Sequence, residues 1–106
     1  MERMEEPAGA VTEPGERARS AASFEAFFEA EQARLLRALY LVTGNVQEAE
    51  ELMQDAFLAV WERWDRVRSM DDPTGYLFRT AMNRFRSRLR RAARSALRNQ
   101  LEDHDE

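Results

Sequence analysis

Residues 73–101 read PTGYLFRTAMNRFRSRLRRAARSALRNQL, and their reading decides the fold. The stretch holds eight arginines, at 79, 84, 86, 88, 90, 91, 94 and 98, and no acidic residue. Apolar side chains recur every fourth position at Leu77, Ala81, Phe85 and Leu89, and again at Ala93 and Leu97. On a helix of about 3.6 residues per turn that spacing keeps one slowly drifting stripe. Asp72 is placed to cap the first turn, and Pro73 sits where a helix tolerates proline best. The pattern predicts one helix of about 25 residues, on the order of 38 Å long. Its stripe is expected to face a core. Its other faces carry guanidinium groups, the footprint of a surface that meets something anionic.

Outward from this stretch the charge reverses. The chain has 106 residues and a net charge of -4. Residues 24–72 hold eleven acids against five arginines, and residues 102–106 hold four acids. One basic element in an acidic background suggests two different partners, where a uniformly basic chain would suggest general nucleic-acid binding. All sixteen basic residues are arginine, a uniformity that coding bias produces, so arginine over lysine carries no weight at any one site. There is no cysteine, which excludes disulfides and thiolate metal sites. No apolar run approaches the roughly 18 residues of a membrane span, and the N-terminus lacks a signal-peptide pattern. The expected location is the cytoplasm, away from the membrane.

Residues 1–20 mix Pro, Gly, Glu and Arg with almost no bulky apolar residue, and such a stretch buries too little to offset chain entropy. Residues 1–22 are therefore expected to be a disordered arm, 23–100 the folded domain, and 101–106 a frayed polar tail or the start of a linker. Ser23 is expected to cap a first helix with Glu25 in its first turn. Its apolar face comprises Phe24, Phe27, Phe28, Leu35, Leu39 and Val42, widened by Leu36, Tyr40 and Leu41. Glu25, Glu29, Arg34 and Arg37 take the wet side, and Gly44 is placed to stop the helix. Asn45 to Glu48 reads as a capping box opening a second helix that runs to about Trp64. Its apolar positions are Ala49, Leu52, Met53, Ala56, Phe57, Val60, Trp61 and Trp64. Glu48, Glu51, Asp55 and Glu62 share one acidic strip. Residues 65–72 break the pattern and read as a loop. The expectation is an all-α protein, a compact three-helix bundle with short loops and disordered termini.

Catalysis finds few parts. His104 is the only histidine and lies in the tail, and there is no glycine-rich phosphate loop or HExxH spacing. Neighbouring acids such as Glu50 and Glu51 point apart on a helix. The chain reads as a non-enzyme needing no cofactor and no metal. The arginines suit nucleic acid, although they are also placed to pair with the acidic second helix. Tyr76 and Phe78 suit stacking on unpaired bases, yet such residues are more often core, and Tyr76 is expected to be partly buried. The acidic strip suits a protein partner as well as it suits plain solubility.

With these residues laid out, the chain resembles region two of bacterial sigma factors, and most of all the compact extracytoplasmic-function group. The resemblance covers Phe24 to about Arg94. Its stronger signal is EAEELMQDAFLAVW at residues 48–61, similar to the family's AEDLxQExFxxxW. The second is YLFRTAMN at residues 76–83, similar to WLxRIAxN. Tyr76 stands for the commoner tryptophan, and Glu51 and Asp55 exchange acid lengths against the pattern.

The resemblance implies that the second helix docks on the clamp coiled coil of the RNA polymerase β′ subunit. Glu48, Glu51, Gln54 and Asp55 would make polar contacts there, with Leu58 beside them. It implies that loop 66–72, with Arg68 and Asp71, and the start of the third helix hold a base flipped from the single-stranded minus-ten promoter element. Asn83 would read that base through its paired donor and acceptor. Arg79, Arg84, Arg86, Arg88, Arg90 and Arg91 would lie along the DNA backbone, Arg79 with the least clear claim to DNA. An anti-sigma factor is a further partner the family suggests. A complete factor of this group also carries region four, which reads the minus-thirty-five element. This chain stops before it and is expected to be a fragment or an incomplete factor that binds polymerase but does not start transcription normally.

Two rival readings remain. One is a helical protein-interaction module bound by an anti-sigma-like regulator without DNA contact. The other is a general duplex-binding protein. Binding to core polymerase separates the first reading from both, and preference for single strands separates it from the last.

Overall fold

The computed structural model describes residues 14–104. Four helices follow one another: α1 (Pro14–Thr43), α2 (Val46–Glu62), α3 (Trp64–Val67) and α4 (Pro73–His104). There is no strand among the described residues. The all-α expectation holds, with three long helices and one short one.

Helix α1 begins at Pro14, well before the expected cap at Ser23, which is mid-helix. Pro14 occupies the first helical position, Glu16 lies in the first turn, and Arg17 to Ala22 are mostly good helix formers. A helix already nucleated by packing further along extends through such residues without buried contacts of its own. Lack of apolar bulk argues against packing but not against helix. The rest of the expected arm, residues 1–13, and the tail end, residues 105–106, lie outside the described residues.

The turn between α1 and α2 follows its sequence signals. Gly44 has φ 68°, and its N–H donates to the Tyr40 carbonyl at 2.8 Å. Asn45 caps α2, its Oδ1 accepting from the Glu48 N–H at 2.8 Å. The other half of the expected capping box is replaced. The Asn45 N–H donates to Thr43 Oγ1 at 3.1 Å, which leaves the Glu48 carboxylate out of the cap.

Helix α2 stops at Glu62 because Arg63 leaves helical geometry, at φ −123° and ψ 27°. The chain resumes as α3, which turns Trp64 and Val67 into the core. Asp65, Arg66 and Val67, expected in a loop, are therefore helical, and the loop narrows to residues 68–72. Asp72 caps α4 as expected, its Oδ1 accepting from the Gly75 N–H at 2.9 Å. A side chain at Gly75 would collide with that carboxylate.

The core centres on α2, which packs on both α1 and α4. Leu35, Leu39, Leu52, Val60, Val67 and Leu77 are fully buried, beside Ala49, Ala56 and Ala81. Phe24, Phe27 and Phe28 of α1 close one end against Phe57 and Trp64, with ring centroids 4.7–6.2 Å apart. Tyr76 and Phe78 pack against the same core and are half-buried. Val42, Tyr40 and Leu41, expected on the apolar face of α1, are exposed near the end of the helix.

The expected core-facing stripe of α4 is only half right. Leu77 and Ala81 are buried and Phe85 is half-buried, but every residue from Leu89 to Asp103 is exposed. At 32 residues α4 is about 48 Å long. It outruns the bundle and contributes to dimensions of 82 × 30 × 23 Å.

Candidate polymerase and DNA interfaces

The acidic strip of α2 lies on the surface. Glu51 and Gln54 are exposed, and Glu48 and Asp55 are half-buried. Leu58, one turn beyond Gln54, is 57% exposed, and Trp61, three residues on, is 43% exposed. Trp61 shares the apolar spacing of the buried face, but it lies outside the core. The structure leans it on the Phe24 ring, centroids 5.0 Å apart, with the rest of the indole open. Gln54, Leu58 and Trp61 thus form a polar-to-apolar stripe beside the carboxylates, and Trp61 joins the candidate face.

The arginines of α4 fall into two rows. Arg79, Asn83, Arg86 and Arg90 lie at spacings of four, three and four, so they share one side, and all four are exposed. The second row, Arg84, Arg88 and Arg91, faces α2. With Asp55 and Ser87 these three line a small polar cleft of about 110 Å³.

Arg88 does not stand free. Its guanidinium spans Glu51 and Asp55, with one nitrogen 3.4 Å from each carboxylate. The side chain keeps 28% of its surface, so water screens the fork and its contribution to stability is under about 1 kcal/mol. A residue expected on DNA is here bonded to two residues expected on polymerase. Among the described residues the other α4 arginines have no ion-pair partner.

Asn83 is also engaged. Its Oδ1 accepts from Arg86 Nη1 at 2.8 Å, an i to i+3 bond that fixes the orientation of the amide. Its NH2 end and the second oxygen lone pair stay available to a ligand.

The loop before α4 is exposed from Arg68 to Asp72. Arg68 pairs with Asp65 at 3.6 Å, and the Ser69 hydroxyl lies 3.0 Å from the Arg66 carbonyl, tying the loop to α3. On its far side the Thr74 hydroxyl donates to Glu31 Oε2 at 3.0 Å, pinning the first turn of α4 to α1. Asp71 is exposed within this tethered loop.

The fold therefore presents an acidic face with exposed apolar residues on α2, and a basic face with an oriented asparagine on α4. The family model for sigma-70 region 2 matches residues 27–95 of the chain. The chain belongs to the sigma-70 region 2 family. No curated protein and no solved structure matches it. The match runs from the aromatic end of α1 through both candidate faces, and stops where α4 has left the bundle. Sigma region 2 serves transcription initiation, in RNA polymerase binding and promoter recognition, without chemistry of its own. No helix of the described residues is long and apolar enough to cross a membrane.

Proposed function

We propose that this sigma region 2 domain, of the extracytoplasmic-function type, docks through α2 on the β′ clamp coiled coil of RNA polymerase and holds the melted minus-ten element on α4. Glu48, Glu51, Gln54, Asp55, Leu58 and Trp61 form the polymerase face. Asn83 reads a flipped base beside loop 68–72, which supplies Arg68 and Asp71. Arg79, Arg84, Arg86, Arg90 and Arg91 hold the backbone, and Arg88 joins them on leaving its fork. The observation that carries this reading is the separation of charge. Acids with exposed apolar neighbours occupy one helix, and arginines around an oriented asparagine occupy another.

Melting is then a partition effect. A flipped base gains contacts that a paired base cannot make. Stacking on protein is worth roughly 1–3 kcal/mol per base, comparable to the cost of unstacking one step. The tethers on both sides of loop 68–72 reduce the entropy lost when it closes on a base.

Binding of minus-ten oligonucleotides tests the DNA half directly. With core polymerase present, the single strand that carries the element should bind at least about tenfold more tightly than the same sequence as duplex. Equal binding to both forms would favour a general duplex-binding protein instead.

A further inference from the structure

Beyond Arg88, α4 runs uncovered. Leu89, Leu97 and Leu101 are 53–58% exposed, and Ala93 stands between them at the same four-residue spacing. Together they make an apolar ridge about 18 Å long. Single exposed leucines need no explanation, but a continuous row does. A helical segment of this length without tertiary contacts is marginal in water. Glu102 and Asp103 weaken it further, because acids sit badly at the negative end of the helix dipole. Arg90, Arg94 and Arg98 run along one side of the ridge, without ion-pair partners among the described residues.

The same design occurs in covered form in the first half of α4. There the stripe residues Leu77 and Ala81 are buried, and α2 packs on the helix. The covering helix is amphipathic and acidic: its apolar side enters the core while Glu51 and Asp55 hold Arg88. The extension repeats the leucines and the arginines and lacks only the covering helix.

We propose that the ridge from Leu89 to Leu101 is a docking site for an acidic amphipathic helix of a partner protein, laid on α4 as α2 is laid on its first half. Leucines meet the apolar side of that helix, and its carboxylates meet the flanking arginines. Charge decides the occupant. A second copy of this chain would set two arginine-rich segments against each other. Nucleic acid would satisfy the arginines and leave the leucines wet. The proposal uses neither α2's outer face nor Asn83, and it shares only Arg90 with the promoter reading.

The test follows backbone amide resonances of the folded domain during titration with a synthetic peptide of about 18 residues. The peptide carries leucine and alanine at helical spacing, with glutamate on both flanks. The comparison peptides are its lysine-for-glutamate version and a scrambled sequence of equal composition. Only the acidic amphipathic peptide should shift the resonances of residues 89–101 and slow their hydrogen exchange. Leu97→Gln with Leu101→Gln should weaken that binding at least about tenfold. Both positions are exposed and glutamine keeps helix propensity, so the fold is retained. Equal binding of the scrambled peptide would reduce the site to charge attraction and overturn the proposal, as would silence at residues 89–101. Self-association of the domain that protects the ridge would assign it to a second copy. Loss of oligonucleotide binding in the glutamine variant, to the same degree as peptide binding, would assign it to nucleic acid.

Discussion

At the scale of the residue, the consequential contact is the one between Arg86 and Asn83. Sequence spacing places the two on one side of a helix, and the family resemblance implies DNA contact for both. It does not say that one holds the other. Arg86 holds Asn83 Oδ1 at 2.8 Å, so the proposed reading gives this arginine two roles, phosphate contact and orientation of the amide. The variants should therefore separate into three kinds. Asn83→Ala should cost about 1–3 kcal/mol of discrimination at one minus-ten position. Arg90→Ala should weaken all sequences alike and lower the log–log salt slope by about 0.7 on single strands. Arg86→Ala should do both. Affinities of a panel of promoter variants, measured in holoenzyme with region four restored at several salt concentrations, distinguish these patterns. If Arg86→Ala behaves as Arg90→Ala does, Asn83 needs no orienting partner. If Asn83→Ala lowers every variant equally, specificity resides in loop 68–72.

At the scale of the element, helix ends divide what the sequence discloses from what it hides. Gly44, Asn45 and Asp72 carry strong local chemistry, a positive φ or a side-chain acceptor, and each marks its boundary as read. Ser23 carries the same chemistry and marks nothing, because a cap is used only where the helix stops, and here Pro14 offers an earlier start. The break at Arg63 has no glycine or proline to announce it. It follows from tertiary demand, since Trp64 and Val67 must both reach the core. Periodicity alone likewise cannot tell a stripe that is covered from one that is not, and so the exposure of Leu89 and Leu97 was unreadable. Thermal unfolding checks the assignment of caps. Asn45→Ala should destabilise by about 1 kcal/mol, whereas Ser23→Ala should be neutral or slightly stabilising, as alanine is in a helix interior. A loss at Ser23 as large as that at Asn45 would place the true start of α1 at Ser23.

At the scale of the whole molecule, the folded domain keeps the charge separation of its sequence and adds a junction to it. Acids face outward along α2 and arginines along α4, and the Arg88 fork to Glu51 and Asp55 is where the two faces meet. The fold class and both faces were legible, because each rests on the composition of one helix. The junction was not, since it depends on which rows of two helices come together. The fork is partly exposed and screened, so reversing its acids should leave the fold standing. That makes the proposed docking of α2 on RNA polymerase directly measurable. Affinity for the β′ clamp coiled coil is compared among the parent domain, Glu51→Arg with Asp55→Arg, and a control with the same charge change on exposed acids of α1, Glu25→Arg with Glu29→Arg. The parent and the control should bind and the α2 variant should not, with helicity intact in all three. Unchanged affinity in the folded α2 variant, or no binding by the parent, would contradict the proposed docking.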